Sequence, residues 1–511
     1  MFRKILIADR GDAAFRVHQS ARGMGIRTVA LYAESELFSL HAEAADEAIR
    51  LDRDGVGGDQ EWQAIIRACE RTGAEAVHPG CGPLAADADF AAALEEAGIA
   101  FIGATAGVLS FASQRERLRA SLERAGLPLH SDFAGLIPCD NKMLAQKGRQ
   151  LEIQVLADDD GNVVHCLERD VSLHLKGRLL LAEAPAEDLG EDMRDRMGDL
   201  ACRVAEALGW VGAATVHFQL DKDHFSVIGL SAGLNPAHPV TELVTGDDLV
   251  ALQFRIAAGE PLGRIQEEIT LSGHALALFI TDLTDPGLPR QTVRRFRLPD
   301  LAPFGGTVRV DTGVREGDAA ESGSVLAKIM AWAEDRPSAL QRLAGVLADT
   351  ELTGPVTDLD PLRGLLDDDQ FRAAPQNAAF IAGSWALFNP QPRSTPPEVV
   401  IAAVLDRLLV GPIEEVPSPL HVTLDDQCGT QWAVGATLLQ ACPRVSEFDV
   451  KLGQGDREKT AHTLSAGLDD DGVVFLVLDG HRTKYSVERM TDQVTVFDGR
   501  RSWILRPRRL E

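Results

Sequence analysis

Residues 4–33 read KILIADRGDAAFRVHQSARGMGIRTVALYA and indicate the fold of the amino-terminal part of the chain. A short apolar run, KILIA, is followed by a turn at Arg10, Gly11 and Asp12, then by an amphipathic stretch and a second apolar run, TVALYA. This alternation predicts a strand, a turn, a helix and another strand. Strands that are separated by helices usually lie parallel in a sheet that is covered on both faces.

The same alternation continues along the chain. Further apolar runs occur in AADEAIRLD, AEAVHPGCGPLAADADF and IAFIG, at residues 44–52, 74–90 and 99–103. Helical patterns cover residues 62–71 and 91–97. The sequence therefore predicts an α/β domain with a parallel sheet.

Composition indicates a globular protein of several domains. The chain has 511 residues, of which 45% are hydrophobic and 25% are charged, and its net charge is −26. A chain of this length needs more than one core. Because an excess of acidic groups is repelled by phosphate, we expect neither nucleic acid nor an anionic membrane surface as a partner.

The seven cysteines are scattered and form no CxxC pair. This distribution predicts reduced thiols rather than a disulfide framework or a zinc site. The first segment, MFRKILIADRG, reaches charged residues at once and predicts neither a signal peptide nor a membrane span. We therefore expect a cytoplasmic protein.

Several segments, taken in order, resemble the biotin carboxylases, the ATP-using half of acyl-CoA carboxylases. They are KILIADRGDAA (4–14), FSLHAEAADEA (38–48), AVHPGCGPLAADADFA (76–91), FIGA (101–104), QLEIQVLADDDGNVVHCLERDVSL (150–173) and HPVTELVTG (238–246). The resemblance runs from Lys4 to about Phe388. It implies an α/β fold in which a parallel sheet precedes an ATP-grasp core and a carboxy-terminal lobe.

The ATP-grasp core lacks a segment that this resemblance leads us to expect. In biotin carboxylases, a lid domain with a glycine-rich loop follows the helix that reads SQRERLRASLERAGLP here. Residues 130–149 alone replace that domain, and chains under about 40 residues rarely fold without staples. We predict that residues 131–150 form a short, partly ordered connection.

The carboxy-terminal part has a different pattern. FNPQPRSTPPE, at residues 388–398, is typical of a linker. One helical run, VVIAAVLDRLL, and then short alternating runs follow it, which predicts an antiparallel barrel or sandwich. This arrangement resembles the BT domain that joins biotin carboxylase to carboxyltransferase in propionyl-CoA and methylcrotonyl-CoA carboxylases. No AMKM motif occurs, so we expect that the chain does not carry its own biotin.

Together these observations predict a biotin-carboxylase-like α/β protein followed by a BT-like antiparallel β-barrel with one helix. The predicted segments are a biotin carboxylase N-terminal-like domain (1–112), a truncated ATP-grasp core without a lid (113–255), a C-terminal-like domain (256–388), a linker (389–398) and a BT-like interaction domain (399–511).

The resemblance also shows which catalytic positions have changed. It implies two glutamates for Mg²⁺, then an asparagine beside the metal, an arginine for the biotin enolate and a glutamate base for bicarbonate. Magnesium needs hard oxygen ligands, and a general base needs a proton acceptor within reach. The family positions in this stretch carry His217, Gly229, Ser231, Gly233, Asn235 and Ala237. We therefore predict no catalytic residue and no metal site here.

Other positions keep side chains that are candidates for residual ligand binding. The resemblance places Arg115 where a lysine contacts the ATP phosphates, and it places Arg309 near the biotin site. For each candidate, a structural role is the alternative interpretation. The complete set is Arg115, Glu152, Lys176, His238 and Arg309.

The joint losses favour a pseudoenzyme that acts in the assembly or regulation of an acyl-CoA carboxylase. The expected partners are carboxylase α and β subunits, with self-association through the biotin-carboxylase-like lobe as a further contact, and no cofactor is expected. One alternative is an active biotin carboxylase subunit with relocated residues, which would need ATP, Mg²⁺ and biotin. The other is a sensor of a nucleotide or an acyl-CoA.

Overall fold

The computed structural model describes most of the chain, in two compact units. The larger unit comprises the described residues of 1–347 and 354–373, and the smaller one comprises residues 348–353 and those from 395 onward. The described residues are 1–51, 59–137, 148–175, 177–222, 224–287, 290–373, 395–410, 420–426, 428–441, 445–454, 460–469, 473–478, 480–489, 493–498 and 502–507.

The amino-terminal layer is the predicted parallel sheet. Its strands are β1 (Lys4–Ile7), β2 (Arg27–Tyr32), β3 (Glu47–Arg50), β4 (Ala76–His78) and β5 (Ala100–Phe101), in the order β3-β2-β1-β4-β5. Ile5 pairs with Thr28 on one side and with Ala76 on the other. Every residue of β1 is buried, as expected for a central parallel strand that is covered on both faces.

Helices connect and cover these strands. They are α1 (Gly11–Gly23), α2 (Leu40–Ala44), α3 (Asp59–Thr72), α4 (Ala88–Glu96), α5 (Ala106–Ala112) and α6 (Arg115–Arg124). The Asp87 side chain caps α4 by accepting hydrogen bonds from the backbone NH groups of Asp89 and Phe90. Such a cap satisfies donors that the first helical turn leaves without partners.

The second layer is an eight-stranded antiparallel sheet in the order β10-β9-β6-β7-β8-β11-β14-β13. Its strands are β6 (Arg149–Ala157), β7 (Val163–Leu175), β8 (Arg178–Ala184), β9 (Gly212–Asp221), β10 (His224–Ala232), β11 (His274–Thr281), β13 (Val308–Thr312) and β14 (Val325–Ala333); β12 (Arg295–Arg297) is separate from it. The sheet is continuous from the ATP-grasp core into the carboxy-terminal lobe, because β8 pairs with β11.

Among the described residues, six further α-helices belong to this part of the chain. They are α7 (Glu191–Leu208), α8 (His238–Thr245), α9 (Leu249–Ala257), α10 (Arg336–Ala348), α11 (Leu359–Leu366) and α12 (Asp369–Ala373). One apolar cluster joins the two sheets of the larger unit, with Ile5 and Ile7 from β1, Leu156 from β6 and Phe254 from α9.

The smaller unit is a closed barrel around a helix. Its elements are β15 (Glu351–Thr353), α13 (Pro397–Val410), β16 (Leu420–Asp425), β17 (Gln431–Gln440), β18 (Ser446–Gln454), β19 (Thr460–Leu468), β20 (Val474–Leu478), β21 (His481–Arg489), β22 (Val494–Phe497) and β23 (Ser502–Pro507); β16 to β23 form the barrel. Residues 399–405 of α13 are all buried. A helix that is apolar on every side must be enclosed, and here the barrel core encloses it.

The predicted fold class is therefore confirmed, and of the two all-β possibilities, barrel and sandwich, the carboxy-terminal strands form the closed barrel. The expected linker lies mostly outside the described residues, and α13 already begins at Pro397. Within the described part of the chain, no helix combines the length and the apolar character that crossing a membrane requires.

Candidate functional site

A row of side-chain positions crosses four adjacent strands of the antiparallel sheet. Gly229 on β10 pairs with His217 on β9, which pairs with Glu152 on β6, and Glu152 pairs with Arg169 on β7. Directly opposed residues of antiparallel strands share a face of the sheet. The structure thus brings together the two positions at which the family resemblance implies metal-binding carboxylates, and it places Glu152 and Arg169 next to them.

Glu152 is buried, and both of its carboxylate oxygens are engaged. Oε1 lies 3.2 Å from His217 Nδ1, and Oε2 accepts hydrogen bonds from Arg169 Nε at 2.8 Å and from Asn235 Nδ2 at 2.5 Å. Burial alone would raise the pKa of this carboxyl. The Arg169 guanidinium and the donors on His217 and Asn235 outweigh burial and hold that pKa well below its usual range.

Arg169 is completely buried, and its guanidinium connects the elements around it. Besides Glu152, it donates to Asn235 Oδ1 at 2.9 Å and to Thr241 Oγ1 at 3.2 Å. An unpaired guanidinium in this environment would cost several kcal/mol, so these partners are needed for the fold. Nothing in the sequence alone connects Arg169 to the altered positions.

Both ring nitrogens of His217 are also occupied. A carboxylate can only accept, so Nδ1 donates towards Glu152, and Nε2 lies 2.8 Å from the Ser231 hydroxyl. In the neutral ring, Nε2 therefore accepts a hydrogen bond from the Ser231 hydroxyl. Ser231 is fully buried, and this contact uses its hydroxyl. The pair that replaces a glutamate and an asparagine thus offers no free lone pair of the ring to a cation.

Gly229 lies against residues 128–137, a segment after α6 that we call the strap; residues 138–147 of the expected connection lie outside the described residues. A Cβ atom built on Gly229 would be 3.0 Å from the carbonyl oxygen of Gly135 and 3.6 Å from Ile137 Cδ1. Arg115 on α6 donates through Nε to the carbonyl oxygen of Phe133 in the same strap, at 2.8 Å. The positions that resemble a metal ligand and a phosphate ligand therefore both contact the strap.

The remaining altered positions are structural parts of the fold. Gly233 has φ = +82°, a conformation that favours glycine, and its carbonyl oxygen accepts from Gln154 Nε2 and Thr215 Oγ1. Asn235 uses its oxygen to accept from Arg169 and from the backbone NH of Ala237. Ala237 is fully buried and belongs to an apolar cluster, where a carboxylate would have to be desolvated.

A second charged network lies beside this row. Glu242 Oε1 accepts from Arg16 Nη2 at 2.9 Å, and Oε2 accepts from Arg309 Nη1 at 2.8 Å. Arg309 also donates through Nε to Asp311 at 2.8 Å. Burial alone would lower the pKa of Arg309, but Asp311 and Glu242 raise it, so this side chain remains charged.

His238 and Lys328 complete the second network. His238 Nδ1 lies 2.8 Å from the backbone oxygen of Asn235 and donates to it, while Nε2 has no hydrogen-bond partner among the described residues. Burial, with the nearby charges of Lys328 and Arg16, lowers the pKa of His238 well below its usual value. Lys328 Nζ forms a 2.7 Å ion pair with Asp12.

Sequence reasoning missed Arg16 and Lys328. Their partners, Glu242 and Asp12, did stand out as a retained residue of the 238–246 motif and as part of the first turn. Lys176, the remaining candidate, lies outside the described residues.

The residues at these positions do not fit a magnesium ion. His217 and Ser231 are paired with each other, both oxygens of Glu152 already have partners, and a side chain on Gly229 would meet a peptide carbonyl. Elsewhere in the described part of the chain, Glu183, Glu187 and His274 are close enough together to hold a metal. Glu183, however, already accepts from Arg336 Nε at 2.6 Å and contacts His274 at 2.9 Å, which describes a buried charge cluster.

Comparisons with known proteins define the class that this fold and site belong to. Family models match along the larger unit: biotin carboxylase, N-terminal domain (residues 1–109), carbamoyl-phosphate synthase L chain, ATP binding domain (103–265), and biotin carboxylase C-terminal domain (291–383). The class is therefore that of proteins built from biotin carboxylase domains around an ATP-binding domain.

Individual relatives agree with this class. The chain is 31% identical over 493 residues to the mitochondrial methylcrotonoyl-CoA carboxylase subunit alpha of Rattus norvegicus, which covers 83% of this chain and 68% of that protein. It is 30% identical over 448 residues to the biotin carboxylase of Halalkalibacterium halodurans, covering 75% of this chain and 97% of that protein. The chain belongs to the biotin carboxylase family, as the motifs predicted.

Solved structures agree as well. The biotin carboxylase domain of a thermophilic 2-oxoglutarate carboxylase bound to bicarbonate superposes with a TM-score of 0.70 at 28% identity, covering 76% of this chain and 99% of that one. A Rhizobium etli pyruvate carboxylase gives 0.69 at 30% identity, covering 82% of this chain and 43% of that one. The chain spans only 60% of the length of the methylcrotonoyl-CoA carboxylase subunit alpha of Arabidopsis thaliana.

Proposed function

We propose that this chain is a non-catalytic, biotin-carboxylase-like subunit that acts in the assembly or regulation of a biotin-dependent acyl-CoA carboxylase. The observation that carries the proposal is the strap against Gly229. There, a peptide carbonyl oxygen lies 3.0 Å from the point at which a metal-binding side chain would begin. Any side chain at this position would require the Gly135 carbonyl to shift by a few tenths of an ångström.

The charges around the site support the same proposal. ATP and bicarbonate are anions, so a working site needs cations that are available to them. Arg169, Arg309 and Lys328 are each already paired with a carboxylate of this chain. A ligand anion would therefore have to compete with an internal carboxylate for each of these cations.

The proposed partners follow from the family. Relatives of this chain include alpha subunits of methylcrotonoyl-CoA carboxylases. We propose that the chain associates with carboxylase α or β subunits mainly through residues 399–511, whose barrel is complete and tightly packed, and that the biotin-carboxylase-like lobe provides a second contact. The scattered cysteines agree with a cytoplasmic location.

Two measurements on the full chain test this proposal. The purified protein should show no biotin-dependent, bicarbonate-stimulated ATP hydrolysis, and affinity purification from the native source should recover carboxylase subunits. Turnover that disappears in a Glu152→Gln variant would contradict the non-catalytic part. Recovery of the chain without any carboxylase subunit would contradict the assembly part.

The active-enzyme alternative requires ATP, Mg²⁺ and biotin to bind without the family's carboxylates, and the sensor alternative requires only a ligand. A thermal-shift screen with nucleotides and acyl-CoAs separates these alternatives from our proposal. A ligand that binds only the native state raises the melting temperature, whereas we expect no shift.

A further inference from the structure

We propose that the strap is a permanent occupant of the site, which closes the β10 edge of the sheet as an added strand would, and not a shortened lid that opens for a ligand. This inference concerns how the site is closed. Its tests therefore do not depend on which partner the chain assembles with.

Backbone hydrogen bonds fix the strap along β10. The strap runs parallel to β10, with bridges between Leu129 and Val227 and between Leu136 and Leu230. The amides of His130, Ala134 and Ile137 donate to carbonyl oxygens of β10 at 2.8–2.9 Å, and the amides of Val227 and Leu230 donate back to the strap at 2.9 Å and 3.0 Å. The pattern follows the geometry of a parallel strand pair at both ends of the strap.

Side chains anchor the strap on its other sides. Phe133 is fully buried in the apolar cluster of the ATP-grasp core, and Leu129 and Leu136 pack against the same cluster. From α6, Arg115 donates to the carbonyl oxygen of Phe133, and Arg119 donates to those of His130 and Ser131 at 3.0 Å and 3.2 Å. Opening the strap would therefore expose an aromatic side chain and leave these donors without acceptors.

The strap also covers an edge of the sheet that would otherwise be exposed. β10 is the first strand of the eight-stranded sheet, and an uncovered edge strand can pair with other chains. The strap covers this edge where Gly229 lies, and Gly135 reaches it with φ = +85°, a conformation suited to glycine. Glycine at position 229 and the strap therefore depend on each other, since a larger residue would push the Gly135 carbonyl away.

Hydrogen exchange on the full chain tests directly whether the strap remains closed. We expect the amides of His130, Ala134, Ile137 and Leu230 to exchange at least about 100-fold more slowly than an unstructured peptide, which corresponds to an opening free energy of about 2.8 kcal/mol. Adding Mg²⁺ with a non-hydrolysable ATP analogue should leave these rates unchanged. Faster exchange, or a loss of protection when the nucleotide is added, would overturn the inference.

A pair of variants tests the dependence between Gly229 and the strap. Gly229→Ala should accelerate exchange at the Ile137 and Leu230 amides, because the new methyl group displaces the Gly135 carbonyl. Gly107→Ala is the matched control, since a Cβ atom there meets nothing within 4 Å. Equal exchange in both variants would show that the strap does not close position 229.

Restoring the carboxylates gives an independent test. In the H217E/G229E double variant we expect no Mn²⁺ binding by electron paramagnetic resonance while the strap amides remain protected. If the variant binds Mn²⁺ with the strap still protected, the strap is not the obstacle and the inference fails. If this variant does not fold, the Gly229→Ala and Gly107→Ala pair decides.

Discussion

Replacing Arg169 by methionine tests whether the site is now a structural network. The guanidinium is completely buried and pairs with Glu152 at 2.8 Å. Its removal leaves a buried carboxylate without its cation, and breaking such a pair typically costs about 3–5 kcal/mol. We expect Arg169→Met to lower the free energy of unfolding of the larger unit by this amount. Arg290→Met is the control, because its exposed pair with Glu321 should contribute less than about 1 kcal/mol.

The loss should depend on pH in a defined direction. In the unchanged protein, the pKa of Glu152 lies below its usual value, so this carboxylate stabilises the fold above about pH 4.5 and that contribution is lost at lower pH. Without Arg169, the strongest influence that lowers the pKa of Glu152 is gone, and we expect burial to raise this pKa above its usual value. The variant should then become less stable as the pH rises, so its deficit should be larger at pH 8 than at pH 5.

Urea unfolding, followed at both pH values on the full chain, measures this difference in the transition of the larger unit. A second change should compensate for the first: Glu152→Gln in the Arg169→Met background removes the unpaired charge and should recover part of the stability. The reasoning is refuted if Arg169→Met costs no more than Arg290→Met, or if the loss is independent of pH.

Three further predictions address other parts of the molecule. Burial raises the pKa of Asp358 to about 7, so its stability contribution should decline as the pH rises from about 4 to 7, and Asp358→Asn should remove that decline in pH-dependent urea melts. Ala237→Glu should lower the free energy of unfolding by several kcal/mol without producing bicarbonate-stimulated ATP hydrolysis, because the new carboxylate enters an apolar cluster. Val400 is fully buried in α13, so Val400→Asp should unfold the barrel unit, as measured by scanning calorimetry. The same variant should no longer co-purify with carboxylase subunits. Retained co-purification would place the contact on the other unit.

The sequence predicted the fold where a short pattern determines it. The alternation in residues 4–33 predicts a strand, a helix and a parallel strand, and β1, α1 and β2 form this unit. The carboxy-terminal strands were ambiguous, because a barrel and a sandwich share the same alternation of apolar residues. Their difference depends on whether the first and last strands pair, as Leu424 and Pro507 do here.

The contacts of the site were less predictable. Arg16 and Glu242 are 226 residues apart, and no local pattern links them. The strap pairs with β10 through backbone groups, which every sequence has, and its residues show no strand-like alternation. The altered positions could be read from the family resemblance, but their new partners could not.

Introducing the carboxylates that the family resemblance implies, one at a time, should destabilise the present arrangement of side chains. A glutamate at position 217 would place a second carboxylate beside Glu152, where two like charges that share the single Arg169 guanidinium repel each other. The Cβ atom of a glutamate at position 229 would lie 3.0 Å from the Gly135 carbonyl oxygen, so the strap would have to shift. We expect a metal ion to offset both costs only when both carboxylates are present and the strap has shifted. Each single reversion is therefore destabilising on its own, and only their combination could be favourable. On the proposed function, the interactions that stabilise the fold are thus the same ones that disfavour a metal ion at this site.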